Sequence, residues 1–150
     1  MKSTFKKIGL AFLTSIALFS CTPNEVVVPT KNIIQNVAPT NDSFFSANDA
    51  TKPITIRWTP VVPKPQEPVV YRLKVWQLMQ GQNGSQAMRS NPPIVTKDVD
   101  NITQTVVSGI YTGPCRPPYL CDFVWTVEVV NSTGVVTENT QTSSPTMFHF

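Results

Sequence analysis

The side chains that could carry catalysis are few in this chain, and they are scattered. His149 is the single histidine of the sequence and its penultimate residue. A nucleophile triad needs a histidine within reach of a serine or cysteine, and an acid that orients it. Ser143 and Ser144 lie nearby, but we interpret them as turn or cap residues. The sequence therefore predicts no enzyme, no catalytic residue and no cofactor, and His149 is interpreted as a strand residue at a sheet edge.

Acidic side chains offer two further kinds of chemistry. Any two carboxylates could meet in space for glycoside cleavage, which keeps a small hydrolase as an alternative. Asp98 and Asp100 are two residues apart, so on a strand they share a face and could bind calcium weakly. A complete calcium site needs more oxygen ligands, and the chain has neither zinc-ligand spacing nor a glycine-rich phosphate loop. We predict no metal site, and calcium binding at this pair stays open.

Cys21 follows a segment with the composition of an export signal. The first seven residues carry three lysines and no acid, and the next twelve are mostly apolar. Ser20 then precedes Cys21, and a polar stretch with prolines comes after it. A cationic start, a short apolar run and a small residue before the cut are typical of a secretory signal. We expect residues 1–20 to be removed.

The run Leu18-Phe19-Ser20-Cys21 resembles the lipobox of a bacterial lipoprotein signal, although Phe19 is larger than usual there. The resemblance implies that Cys21 is acylated on its thiol and becomes the first residue of the mature protein. Thr22 stands directly after Cys21, where an Asp would retain such a lipoprotein at the inner membrane, so the resemblance favours the outer membrane. Whether the protein faces the periplasm or the cell surface stays open. The alternatives are an ordinary signal with a chance cysteine, or an uncleaved anchor.

Cys115 and Cys121 remain as a pair in an exported chain. An oxidising compartment makes a disulfide the default for such a pair. A metal site would need more ligands, and a redox-active pair usually has Cys-x-x-Cys spacing. We predict a disulfide between Cys115 and Cys121.

The charge of the mature chain is balanced. The whole chain has 12 basic and 9 acidic residues, and three of the lysines belong to the predicted signal. The chain without residues 1–20 then has nine basic and nine acidic residues, and this balance gives no basic face of the kind that a nucleic-acid binder needs. We predict no nucleic-acid partner.

Short alternating segments dominate the rest of the sequence and predict strands. Ile54, Ile56 and Trp58 share one face of the first clear strand. Seven further residues are predicted to face inward on later strands: Tyr71, Leu73, Val75, Phe123, Trp125, Val127 and Phe148. Residues 60–68 contain four prolines and predict a stiff connection, and residues 80–91 predict a loop.

No segment has a convincing helical period. About seven short strands predict an all-β fold, an antiparallel two-sheet sandwich of the immunoglobulin type. We assign residues 21–35 to a lipidated tether and residues 36–150 to the sandwich domain.

Three segments resemble a fibronectin type III domain over residues 36–150. They are Trp58-Thr59-Pro60, Tyr71-Arg72-Leu73-Lys74-Val75, and Phe123 to Gly134 with its Asn131-Ser132-Thr133-Gly134 turn. Phe123 stands where that family usually has a Tyr whose hydroxyl bonds the backbone at a corner. We expect the Cys115–Cys121 bridge to replace that restraint. The pattern resembles the TANFOR domain when three further segments are included: Gly81-Gln82, Gln86-Ala87-Met88 and Asn91-Pro92-Pro93-Ile94. This resemblance implies an exported protein of Bacteroidetes.

Alternation also predicts a binding face on the outer side of the strands. It carries Arg72, Lys74, Trp76, Leu78 and Glu128, with an exposed Trp flanked by cations. Exposed aromatics and Arg are favoured at interface hot spots. Two simpler interpretations are a Lys74–Glu128 cross-strand pair and a Trp76 covered by residues 80–91.

The sequence as a whole predicts a non-enzymatic lipoprotein of the outer membrane. Its membrane contact is the N-terminal lipid, and its partner is a protein of the outer membrane or surface, in a secretion or uptake complex. The alternative is a surface adhesin or glycan-binding module.

Overall fold

The computed structural model describes residues 33–46, 49, 51–110, 121–137 and 142–150. These residues form eight strands and one short helix. In chain order they are β1 (Asn36–Ala38), β2 (Ser43–Phe44), β3 (Ile54–Trp58), β4 (Val70–Gln77), α1 (Gly84–Ser90), β5 (Val95–Asp100), β6 (Gln104–Val107), β7 (Asp122–Val130) and β8 (Thr146–His149). The predicted all-β class is confirmed.

The strands form two sheets. The smaller sheet has the order β1-β3-β6, and the larger has the order β2-β8-β7-β4-β5. Neighbouring strands are antiparallel, except that β2 and β8 run parallel. One core cluster contains residues of both sheets, which confirms the predicted two-sheet arrangement.

The core follows from the two-residue period of the strands. Ile54, Ile56 and Trp58 of β3 are buried, while Thr55 and Arg57 between them are exposed. The seven side chains predicted to face inward from β4, β7 and β8 are all buried in the same cluster. Alternation places every second side chain of a strand on one face, so local pattern is enough to identify these members of the core.

Aromatic rings close the end of the core near the C-terminus. The Phe123 ring stacks on Phe148 with 5.2 Å between ring centroids, and Phe150 meets Phe123 edge-on at 5.8 Å. Cys121 is buried beside them, and its backbone exchanges hydrogen bonds with Phe150, at 3.1 and 3.0 Å. Cys115 lies outside the described residues, so the Cys115–Cys121 disulfide stays a prediction, as does its role in place of a Tyr at the corner. Cys21 also lies outside the described residues.

The proline-containing connection between β3 and β4 is held at its start. The Val61 N–H donates a hydrogen bond to the Tyr71 hydroxyl oxygen over 3.1 Å, and Val61 is buried. At the other end of the connection, the Val69 N–H donates to the Asn101 side-chain oxygen at 3.0 Å. The loop is therefore tied to β4 and to the connection between β5 and β6.

The residues before β1 already belong to the packed domain. Ile34 is buried in the core. Gln35 and Thr59 exchange two hydrogen bonds, Gln35 N–H to the Thr59 hydroxyl and Thr59 N–H to the Gln35 carbonyl. Within the segment that we assigned to the tether, the described residues 33–35 thus contact the sandwich.

The prediction of a loop without helix at residues 80–91 is wrong, because α1 occupies Gly84–Ser90. Asn83 caps the helix: its side chain accepts from the Gln86 N–H, and the Gln86 side chain accepts from the Asn83 N–H, both at 2.9 Å. Such a reciprocal capping box satisfies N–H groups at the start of a helix. The buried residues of this seven-residue helix are Gly84 and Ala87. Two small buried residues give no apolar period, which is why the pattern was missed.

Candidate binding cleft

Arg72 lies on the outer side of β4 and is fully engaged within the protein. Its Nε and Nη2 donate to the two carboxylate oxygens of Asp98 at 2.7 and 2.8 Å, and Nη1 donates to the Gly134 carbonyl at 2.8 Å. The hydrogen bonds from Arg72 hold the pKa of Asp98 below its usual range, and those to Asp98 raise the pKa of Arg72. A planar fork paired with a carboxylate is directional, so this pair fixes β5 against β4.

Lys74 and Glu128 form the second charge pair on this face. The Lys74 ammonium lies 2.6 Å from Oε1 of Glu128 on β7. Lys74 faces Thr126 in the strand register, so the ion pair runs diagonally between the strands. The alternative interpretation of a cross-strand pair is confirmed.

Glu128 is unusual among the charged residues because it is buried. Its side chain is 10 % exposed. Its Oε1 is compensated by the Lys74 ammonium at 2.6 Å. A buried carboxylate is costly unless it is paired, so the burial of Glu128 depends on this ammonium.

The prediction that Trp76 is exposed is wrong. Trp76 is 8 % exposed, and it packs with Leu78, Ala87 and Val124 in a small second core. Met88 and Met147 pack against this cluster. The covering element is α1, so the alternative that residues 80–91 cover Trp76 is confirmed.

Close packing of α1 depends on a glycine at its first position. A Cβ built on Gly84 would lie 3.2 Å from Cγ2 of Val124, closer than side chains ordinarily approach. Val124, on the outer side of β7, is fully buried as a result. Alternation predicts which side of β7 Val124 occupies, but it carries no information on what covers that side.

A cleft of about 410 Å³ opens beside this second core. Its lining residues come from β4, β7, α1 and the segment before β8: Lys74, Trp76, Met88, Thr126, Glu128, Thr142, Ser143, Ser144 and Pro145. We call this the outer cleft. It combines a charge pair, hydroxyl groups and an aromatic edge, and its volume lies in the range of ligand-binding pockets. Of the five residues predicted for partner binding, Lys74, Trp76 and Glu128 line it, while Arg72 and Leu78 do not.

One wall of the outer cleft is the segment 142–145, which sequence reasoning missed. Ser143 is buried and pairs with Val127: the Val127 N–H donates to the Ser143 hydroxyl, and the Ser143 N–H donates to the Val127 carbonyl, both at 2.8 Å. The segment thus adds two hydrogen bonds to the side of β7. A run of Ser, Thr and Pro gives no strand pattern that could have indicated this position.

His149 is a strand residue, as predicted, but the prediction of a sheet edge is wrong, because β8 lies between β2 and β7. It belongs to a separate cluster with side chains from the neighbouring strands. Its Nδ1 lies 2.6 Å from Asp122 Oδ1, its Nε2 lies 3.6 Å from Asp42 Oδ1, and its ring stacks on Phe44 with 4.7 Å between centroids. These contacts join β2, β7 and β8. Because the partners are distant in sequence, no local motif indicates the cluster. Its contacts hold neighbouring strands together.

Asp98 and Asp100 do lie on one strand, β5, but Asp98 is held by Arg72. Within the described ranges, no group of three or more His, Cys, Asp or Glu side chains could hold a metal ion. In the same part of the chain, no helix has the length and apolar character needed to cross a membrane.

Fold and site together define a protein of two β-sheets with a cleft on the outer face of the larger sheet that contains a charge pair. Comparison of the chain with protein-family models and with curated proteins found no match.

Proposed function

We propose that this protein is a non-enzymatic, lipid-anchored binding module that holds a protein partner at the outer membrane. The anchor is Cys21, supported by the export signal before it and by its resemblance to a lipobox. A single acyl chain holds a protein only marginally, whereas the several chains of a bacterial lipoprotein would hold it permanently.

The observation that carries the binding role is Glu128 in the outer cleft. This carboxylate is nine-tenths buried and pairs through Oε1 with the Lys74 ammonium at 2.6 Å, so the cleft contains a buried charge pair. A carboxylate can accept more than one hydrogen bond, so a partner side chain with an N–H or O–H donor could bind this pair inside the cleft. Protein interfaces concentrate their binding energy in a few such desolvated contacts.

We further propose that the domain is a fibronectin type III-like sandwich of the TANFOR type. The adjacency of β4, β7 and β8 in one sheet supports this, because the third, sixth and seventh strands share a sheet in that architecture. The resembling segments lie on β3, β4 and β7, which are consistent positions. This assignment favours an exported accessory subunit, in a secretion or uptake complex, over an enzyme.

The test is recovery of a partner with the full-length protein from its native membranes in mild detergent, followed by quantitative mass spectrometry. We expect a stoichiometric envelope protein with the wild type, and at least tenfold less of it with Glu128→Gln. Asp98→Asn is the matched control, since it makes the same carboxylate-to-amide change on the same sheet outside the cleft. Equal recovery with Glu128→Gln and Asp98→Asn would reject the outer cleft as the binding site.

A glycan is the second candidate ligand, and one observation favours it. Trp76, the hydroxyl-bearing residues Thr126 and Ser144 and the Glu128 carboxylate line one cleft, a combination that suits a sugar ring. Titration of tryptophan fluorescence with oligosaccharides from surface polysaccharides tests it. A saturable change that disappears in Glu128→Gln would favour a glycan over a protein partner.

A further inference from the structure

One end of the sandwich carries most of the exposed large apolar side chains of the described residues. They are Ile33, Val62, Ile102, Val135 and Val136. Each lies on a loop at the end where β4 and β6 begin and where β3, β5 and β7 finish. We call this the loop end. Exposed apolar side chains scattered singly are ordinary, whereas several at one end of a domain are typical of an interaction surface.

Several hydrogen bonds hold these loops in place. The Asn101 N–H donates to the Val69 carbonyl at 2.8 Å, next to Ile102. The Asn131 side-chain oxygen accepts from the Val135 N–H at 2.9 Å, and Val136 pairs with Val130. Hydrogen bonds therefore hold the loops that carry these apolar side chains against the rest of the domain.

Two apolar grooves flank the proline-containing loop at this end. One has a volume of about 440 Å³ and is lined in part by Val61, Val62 and Pro65. The other has about 520 Å³ and is lined in part by Pro68, Val129 and Val130. The charged residues that line them, Lys64 and Glu67, have opposite signs. Recognition at this end would depend on apolar burial more than on charge.

The N-terminal chain joins the domain at this same end. Ile33 pairs with Val62 through two backbone hydrogen bonds of 3.0 and 3.2 Å. Ile33 lies twelve positions after Cys21, a span of at most about 40 Å. If Cys21 carries the lipid, the loop end is the part of the domain tied nearest to the membrane.

We propose that the loop end lies on the phospholipid surface, with Val62, Ile102 and Val135 at the boundary between headgroups and acyl chains. This inference rests on the proposed lipid anchor. The apolar side chains then bury against the bilayer, as do the apolar faces of proteins that lie in the interface. The other end of the sandwich, with α1 and the His149 cluster, faces away from the membrane.

The experiment uses the full-length lipoprotein reconstituted into phosphatidylethanolamine–phosphatidylglycerol vesicles. A photo-crosslinking phenylalanine analogue replaces either Val62 or, as the matched control, Met79 at the opposite end of β4. Both positions are more than half exposed, at 63 % and 53 %, so neither substitution disturbs the core. We expect at least tenfold more lipid adduct at position 62 than at position 79, and equal yields at low and high salt.

The other outcomes overturn the proposal in distinguishable ways. Vesicle-bound protein with equal adducts at both positions would reject the loop end while keeping the anchor. Adducts at position 62 with a second copy or with another protein would identify a protein interface instead. If the protein stays in the supernatant and does not bind the vesicles, the lipid anchor is rejected. The proposal that the loop end faces the membrane is then rejected as well.

Discussion

The Lys74 ammonium lies 2.6 Å from Oε1 of Glu128, diagonally across β4 and β7, and both side chains line the outer cleft. The two side chains differ in exposure, because Lys74 is 28 % exposed and Glu128 is 10 % exposed. Glu128 therefore depends on Lys74 for the compensation of its charge, whereas Lys74 also reaches water. This asymmetry predicts unequal effects of removing either partner.

Lys74→Met is expected to lower the free energy of unfolding by about 2 kcal/mol, since it leaves a buried carboxylate without its cation. The loss is below that of fully buried pairs because Lys74 is partly exposed. Glu128→Gln is expected to cost less than about 1 kcal/mol, because the remaining ammonium is solvated. Urea denaturation at neutral pH measures both, and the double variant should regain part of the Lys74→Met loss. If the two single variants lose equally, Glu128 is not dependent on Lys74 for its burial.

Removal of the α1 cap should uncover Trp76. Asn83→Ala deletes the acceptor of the Gln86 N–H, and loss of such a cap costs about 1 kcal/mol. We expect fraying of α1 and stronger quenching of tryptophan fluorescence by acrylamide. Ser85→Ala is the control, as an exposed position of the same helix without a capping role. Unchanged quenching in Asn83→Ala would mean that packing on Val124 holds the helix without its cap.

The Arg72–Asp98 pair should make stability depend on pH in the acid range. The pKa of Asp98 is lowered in the folded state, chiefly by the hydrogen bonds from Arg72. A lowered folded pKa means that the stabilisation is complete above the ordinary Asp pKa of about 4 and is lost as pH falls through the folded pKa. The wild type should therefore exceed Asp98→Asn in stability between pH 5 and 7, and the difference should shrink toward pH 2.

The size of that difference is expected to be below about 1 kcal/mol, since Asp98 is exposed to solvent. Urea denaturation at pH 7, 5 and 3 measures it, with Asp100→Asn as the control on the same strand. Salt at 1 M should reduce the difference at neutral pH. A difference that grows on acidification would contradict the assigned sign.

The predicted Cys115–Cys121 disulfide should stabilise the corner before β7. Closing so short a loop contributes about 2 kcal/mol by the entropic model. We expect a reductant and Cys115→Ser to lower Tm by similar amounts, several degrees each. Cys115 is the better position to change, because a polar serine at the buried Cys121 would itself destabilise. Thiol titration of the unfolded, unreduced protein establishes whether the bridge exists, and an unchanged Tm would reject its structural role.

Local alternation was sufficient to predict the part of the core that lies on the longer strands β3, β4 and β7 and on β8. Tyr71, Leu73 and Val75 face the core from β4 because the strand period is two, and no distant contact is needed to establish that. The same period correctly separates Ile56 from Arg57 on β3. The short strands β1 and β2 escaped prediction, since two or three residues cannot display a period.

The environment of the outer face was decided only by the tertiary structure. Alternation places Trp76 and Val124 on the side away from the core, but α1 returns to cover them with Ala87. The cluster around His149 likewise joins Asp42 and Asp122, which are 80 residues apart in sequence. The side of a strand that faces the core follows from the strand's own sequence pattern. Whether the outer side is covered depends on which distant segment packs against it. The sequence by itself therefore determined the longer strands and the side of each that faces the core, and the tertiary structure decided that Glu128 is buried beside Lys74 in a cleft.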